Sequence, residues 1–235
     1  MKPILIFRHW PSEGPGYLAD VLNRYDLPWR LIAVDEYDPI PDTPEDASAL
    51  VFMGGPMSVN DDLEWIVQEL DLIRAAQTLG IPVLGHCLGG QLIAKAMGGV
   101  VIRNPVREIG WLPVMQADND VAADWFSGLP SIFEVFHWHG ETFSLPAGAT
   151  LVLSSRHCSH QGFVVGNTLA LQCHVEMTED LVRTWVSDNS PEIAEPTETI
   201  QAAATMMSQL PSRIEALQSA ADLLYHRWLR PLVGR

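Results

Sequence analysis

Basic side chains are scarce in this chain. Fourteen Lys and Arg against 29 Asp and Glu give its 235 residues a formal net charge of −15. Nucleic acids and anionic membranes are held by clustered cations, so neither is expected as a partner. Cysteine is also rare: Cys87, Cys158 and Cys173 make an odd set without framework spacing, as in a reducing compartment rather than a disulfide-stapled domain. Long apolar runs are missing. The N-terminal stretch turns polar at Arg8, too early for a signal-peptide core or a membrane span, so a soluble cytoplasmic protein is expected. No G-x-x-x-x-G-K-S/T phosphate loop occurs, which leaves no visible means of activating an acceptor with ATP.

Two further signatures are present only in outline. Gly14-Pro15-Gly16-Tyr17-Leu18-Ala19 fits a G-x-G-x-x-A pattern, but it carries a proline and stands apart from its strand, so it reads as a helix-start turn. No cofactor is expected. His137-Trp138-His139 and His157-Cys158-Ser159-His160 lack the spacing of a structural zinc site, and no metal is expected. His157 and His160 are assigned to a surface turn, and Cys158 and Cys173 are expected to be inert.

What the chain does hold is 47% hydrophobic residues, enough for one substantial core. Apolar runs alternate with helical periodicity over the first hundred residues: strands at 4–7, 30–34, 49–53 and 81–84, helices at 17–25 and 61–79, and a third helix after residue 87. In the second helix Leu63, Ile66, Val67, Leu70 and Ile73 supply the apolar face. Continuous apolar strands with helical crossovers predict an α/β fold, a doubly wound, mostly parallel sheet. Shorter runs at 100–103, 109–115, 132–138, 149–154, 162–165 and 170–173 predict an antiparallel extension. After Asn189-Ser190-Pro191, residues 192–229 predict two helices broken at Pro211. The expected organisation is one domain over 1–188 and a helical extension over 189–235 packed on it. An apolar stripe on those helices would serve either a homodimer or the core beneath.

Gly85-His86-Cys87-Leu88-Gly89-Gly90-Gln91 follows an apolar strand and opens a helix. This is the thiol form of a nucleophile elbow, a sharp turn that exposes the reactive atom while glycines keep neighbours from crowding it. The helix N-terminus favours the thiolate, the nucleophilic form. A thiol nucleophile needs a base and a group that orients the base. His174, at the end of an apolar strand, and Glu176, two residues on, are the candidates. An oxyanion needs two donors. The amide of Leu88, directly after the cysteine, is one, and Gly55 in the turn Met53-Gly54-Gly55-Pro56 is chosen as the other.

Together, Met-Gly-Gly-Pro at 53–56, Gly-x-Cys-x-Gly-x-Gln at 85–91, His-Gly at 139–140 and Gln-x-His-x-Glu at 172–176 resemble the class I, or triad, glutamine amidotransferases. The likeness is nearest to stand-alone relatives of the amidotransferase domain of guanosine monophosphate synthase. It implies a flavodoxin-like fold and a Cys87, His174, Glu176 triad with Gly55 and Leu88 as oxyanion hole. Gln91 and the stretch Trp138, His139, Gly140 and Glu141 would hold the amino-acid end of a γ-glutamyl substrate. The implied reaction is cleavage of a γ-glutamyl amide through a glutamyl-thioester, releasing glutamate and ammonia or an amine, with a synthase in trans as a partner for the ammonia. Val175 stands where the family commonly has proline. Trp138 and Glu141 replace small or polar residues of glutamine-specific members, which favours a γ-glutamyl peptidase acting on glutathione-like compounds as the alternative. A redox sensor using Cys87 is the other-class alternative, and the His174 and Glu176 pair argues against it.

Overall fold

The computed structural model describes residues 1–234. Nine strands form one sheet: β1 (Ile4–Arg8), β2 (Trp29–Ala33), β3 (Ala49–Phe52), β4 (Val83–His86), β5 (Val101–Gln116), β6 (Ile132–Phe143), β7 (Thr150–Ser154), β8 (Gly162–Val165) and β9 (Thr168–Leu171). Their order is β2-β1-β3-β4-β9-β8-β7-β5-β6. The four pairings from β2 to β9 are parallel and the four from β9 to β6 are antiparallel. The α/β doubly wound sheet with an antiparallel extension is therefore present. β9, which its sequence placed in that extension, instead completes the parallel half beside β4.

Side-chain alternation divides the core between the two faces of the sheet. Ile4 and Ile6 lie on one face, with the C-terminal helices, while Leu5 and Phe7 lie on the other, with α2 (Glu64–Leu79) and α3 (Leu88–Ala96). Phe7 and Phe52, neighbours on β1 and β3, stack at 4.7 Å. α1 (Tyr17–Arg24) packs Leu18, Val21 and Leu22 inward. No helix among the described residues is long and apolar enough to cross a membrane.

Several boundaries differ from the sequence expectation for local reasons. α2 starts at Glu64, because Asp61 accepts a hydrogen bond from the Ser58 amide (3.0 Å) and closes a turn ahead of the helix. Within α2, Val67 is 61% exposed while Glu69 is fully buried, because Glu69 pairs with His9 at 3.0 Å inside the core. The runs at 100–103 and 109–115 form one strand, β5, whose register against β6 shifts between Arg103 and Glu108. β6 runs on to Phe143, so His139, Gly140 and Glu141 lie on a strand and not after one. α4 (Asp120–Trp125), absent from the sequence expectation, is capped by Asn119, which accepts from the Ala122 amide at 3.0 Å. α5 (Glu179–Asp188) is capped by Thr178.

The C-terminal helices are α6 (Ala203–Met207) and α7 (Leu210–Val233). Pro211 sits in the first turn of α7, where its missing N–H leaves no helical bond unmade. Much of 192–202 is irregular or 3-10 rather than helical. α7 buries Leu217, Leu224, Tyr225 and Trp228 in the same cluster as Ile4 and Ile6. The Trp228 indole donates to the Val83 carbonyl at the start of β4, so this helix is tied to the strand that carries the elbow.

Candidate active site

Cys87 caps α3 with φ 49° and ψ −108°, a left-handed backbone that side-chain-bearing residues rarely adopt. The turn is held by its surroundings. The Cys87 amide donates to the Leu171 carbonyl of β9 at 2.8 Å, and the Gln91 amide donates to the Cys87 carbonyl at 3.0 Å. The thiol lies 3.8 Å from the Trp138 carbonyl oxygen and accepts from Gln172 Nε2 at 3.5 Å. Gln91 is buried, and its Nε2 donates to Gln172 Oε1 at 3.2 Å, so the two amides form a relay ending on the sulfur.

Because β4 and β9 are parallel neighbours, Cys87 and His174 emerge at the same end of the sheet. His174 Nδ1 donates to Glu176 Oε1 at 2.7 Å, and both side chains are buried. Burial alone would lower the His174 pKa. The Glu176 carboxylate and the Cys87 sulfur overcome that and raise it well above the ordinary imidazole value. Its Nε2 lies within electrostatic reach of the sulfur but holds no hydrogen bond. For Glu176, burial is outweighed by His86 and His174, and its pKa falls to about 2. The Trp185 indole meets the His174 ring edge-on at 4.8 Å and 88°, which fixes the ring plane.

Gly55 faces the same space. Among the described residues, no backbone carbonyl accepts from the Gly55 or Leu88 amide. A Cβ at Gly55 would come 2.7 Å from Leu88 Cδ2, so side chain and turn already touch. The surrounding cleft, about 680 Å³, is lined by Cys87, Gln91, Trp138, His139, Gly140 and Glu141, all expected from sequence. Glu141 accepts from Ser58 Oγ at 3.0 Å and, through its carbonyl, from His139 Nδ1 at 3.0 Å.

Sequence reasoning missed four contributors. His86 Nε2 sits 3.1 Å from the Tyr225 hydroxyl of α7 and 3.6 Å from Glu176 Oε2, so the tail helix supports the Glu176 carboxylate from behind. The β5 irregularity brings Arg103 and Arg107 to the cleft, and Arg107 pairs with Glu192. The Gly14-Pro15-Gly16 turn docks on Glu176: the Tyr17 amide donates to the Glu176 carbonyl at 2.8 Å, and a side chain at Gly16 would strike that carbonyl. The fourth is Glu13, which the same turn carries into the cleft.

His137 and His139 share one face of β6, and Glu108 joins them, with ligand atoms of all three within 4.8 Å of one another. Glu108 Oε2 lies 3.1 Å from His139 Nε2, and the carboxylate also accepts from Ser155 and Gln161 at 2.7 Å. Burial is outweighed there by His139, and the Glu108 pKa falls to about 2. Among the described residues neither ring nitrogen of His137 has a hydrogen-bond partner, and burial lowers its pKa to about 3. Of the remaining cysteines, Cys158 and Cys173 are buried and burial raises both pKa values.

Glu13 carries a testable cost to stability. Burial raises its pKa to about 7, partly offset by His174. A carboxyl whose folded pKa exceeds its unfolded one destabilises the fold above that pKa, and the penalty vanishes once both states are protonated. Glu13→Gln is therefore expected to raise stability by about 1–3 kcal/mol at pH 8 and by nothing measurable near pH 3. Melting curves at the two pH values check this, and equal shifts at both would refute it.

A parallel α/β sheet with a thiol elbow beside an imidazole–carboxylate pair is an architecture suited to acyl transfer through a thioester. The comparisons with known proteins carry this further. The family model for class-I glutamine amidotransferases matches residues 18–189, and this chain belongs to that family. The glutamine amidotransferase-like protein YfeJ of Salmonella typhimurium is 30% identical over 195 residues, covering 80% of this chain and 81% of that one. A crystal structure of a glutamine amidotransferase from Methylobacillus flagellatus is 41% identical with a TM-score of 0.95, covering 98% and 95% of the two chains. GMP synthase of Aeropyrum pernix is 33% identical over 145 residues, 61% of this chain but 27% of that protein. This chain thus spans about a quarter of that relative's length.

Proposed function

We propose that the protein hydrolyses a γ-glutamyl amide with Cys87 as nucleophile, His174 as acid and base, and Glu176 as the group that orients and charges the imidazole. The observation carrying this reading is the adjacency of β4 and β9, which brings the thiol and a carboxylate-paired imidazole to the same end of the sheet. The Cys87 thiolate attacks the γ-carbonyl and the sulfur–carbon bond forms. The oxyanion is held by the Gly55 and Leu88 amides. As the carbon–nitrogen bond breaks, His174 gives its Nε2 proton to the departing nitrogen. Water, deprotonated by His174, then cleaves the thioester and glutamate leaves.

Gln91 and residues 138–141 serve the glutamyl end, with Trp138 supplying its carbonyl beside the sulfur. Residues 1–188 carry this site, and 189–235 act as an extension of the same body, because Tyr225 reaches His86 behind Glu176. Likeness to GMP synthase supports ammonia delivery to a synthase in trans when glutamine is the substrate. A second reading, a γ-glutamyl substrate with a larger departing group, is favoured by a cleft of about 680 Å³, several times the volume of a glutamine side chain.

The test is glutamate release from the purified protein with glutamine and γ-glutamyl amides. Since the His174 pKa is raised by Glu176, the acid form needed for the leaving group persists above pH 6.5, and kcat/KM should decline only on a more alkaline limb. Glu176→Gln removes the charge that raises it. The expected result is a limb moved to lower pH and kcat/KM down about 10²-fold or more. An unmoved limb would assign the proton transfer to another group.

A further inference from the structure

Glu13 is the one acidic side chain of the cleft that has no partner. Glu141 accepts from Ser58 and Glu192 pairs with Arg107, whereas among the described residues no hydrogen bond or ion pair involves the Glu13 carboxylate. Its backbone is fixed: the Glu13 amide donates to the Trp10 carbonyl at 2.9 Å, and the Trp185 indole anchors the Ser12 carbonyl at 2.7 Å. A methyl group added at Gly54 would strike Glu13 Oε2 and come 3.2 Å from His174 Cε1, so carboxylate and imidazole flank the same point. Glu13 lines the cleft together with Cys87 and Trp138 to Glu141, and its carboxylate lies beside the ring assigned to protonate the departing nitrogen.

Resting on the hydrolase reading above, we propose that Glu13 determines leaving-group specificity, favouring γ-glutamyl amides of ammonia or simple amines over those of amino acids. An amino-acid leaving group carries a carboxylate one carbon from the departing nitrogen, and this would be brought against the Glu13 carboxylate, whose charge its surroundings already disfavour. Like charges so placed are strongly disfavoured. A simple amine meets no such repulsion. It leaves neutral with the proton from His174, takes a further proton from water, and the resulting ammonium is attracted to Glu13. The preference separates the two substrate classes that the fold alone leaves equal.

The charge on Glu13 is set by its neighbours. His174 and Glu176, after β9, and His9, at the end of β1 and paired with Glu69 of α2, are the titratable groups acting on it. With a pKa of about 7, it is ionised above neutrality and protonated below, so the selectivity should sharpen as pH rises.

The experiment compares kcat/KM for γ-glutamylethylamide and γ-glutamylglycine, using full-length wild type and Glu13→Gln at pH 6 and pH 8.5. The expected wild-type preference for the ethylamide is about 10-fold or more at pH 8.5 and smaller at pH 6. In Glu13→Gln it should collapse to about 3-fold or less and lose its pH dependence. A variant that keeps the wild-type ratio at both pH values overturns the proposal, as does a wild type that prefers γ-glutamylglycine. Turnover of neither substrate by wild type, with glutamine also inert, overturns the hydrolase reading itself and this proposal with it. Melting curves confirm that the variant compared is folded.

Discussion

Cys87→Ala is expected to lower kcat/KM for γ-glutamyl amide hydrolysis by about 10⁴-fold or more, because no other thiol lines the cleft among the described residues to form the thioester. The structure narrows what else the substitution disturbs. The thiol receives one side-chain hydrogen bond, from Gln172 at 3.5 Å, and its backbone contacts to Leu171 and Gln91 do not depend on the sulfur. Alanine keeps the same left-handed backbone at φ 49°, so stability should change little. Glycine at 87 relieves that strain and should stabilise the protein by about 1 kcal/mol while being equally inactive. Paired assays of glutamate release and thermal melting check both. More than about one-hundredth of the wild-type rate in Cys87→Ala would remove the thiol from the mechanism.

Gly89→Ala should be the most damaging single methyl in the protein, costing about 3 kcal/mol or more. A Cβ there would overlap the Phe52 carbonyl at the end of β3. Its neighbours are equally confined: at Gly85 the added atom meets the Gly89 backbone, and at Gly90 it meets the Leu171 carbonyl of β9. The first turn of α3 is thus wedged between three strand ends, and every obstructing atom is backbone that cannot rotate aside. The glycines around Cys87 let the helix approach the sheet closely enough to aim its N-terminus at the sulfur. Urea denaturation midpoints measure the loss, and a change under about 1 kcal/mol would mean that the helix can shift to accommodate a side chain.

The elbow was legible because its determinants are local. A run of apolar residues, a Gly-x-Cys-x-Gly turn and a helix follow one another without a break, and each is encoded by the residues that form it. His174 and Glu176 were legible for the same reason, being two residues apart at a strand end. Their meeting with Cys87 was not local. β4 and β9 are separated by more than eighty residues of chain, and only the pairing of Val83–His86 with Thr168–Leu171 puts them side by side. Glu69 shows the opposite case, where local periodicity misled. Helical spacing assigns Val67 to the buried face, yet a buried His9 supplies a partner that makes a carboxylate the better occupant of the neighbouring position. Glu13 carried no signal at all, since a glutamate in a loop is ordinary until the loop is seen to fold over His174.

The sequence by itself determined the α/β class, the cysteine elbow, the order of the motifs and the net negative charge, because periodicity and turn chemistry act over a few residues and net charge is a sum over composition. Tertiary structure alone decided that β9 joins the parallel half of the sheet and that Tyr225 of α7 reaches Glu176 through His86. It also decided that Glu13 lies beside His174 with no hydrogen-bond or ion-pair partner among the described residues. Each of those depends on contacts between segments far apart in the chain, and which segments meet is settled by how the whole core packs.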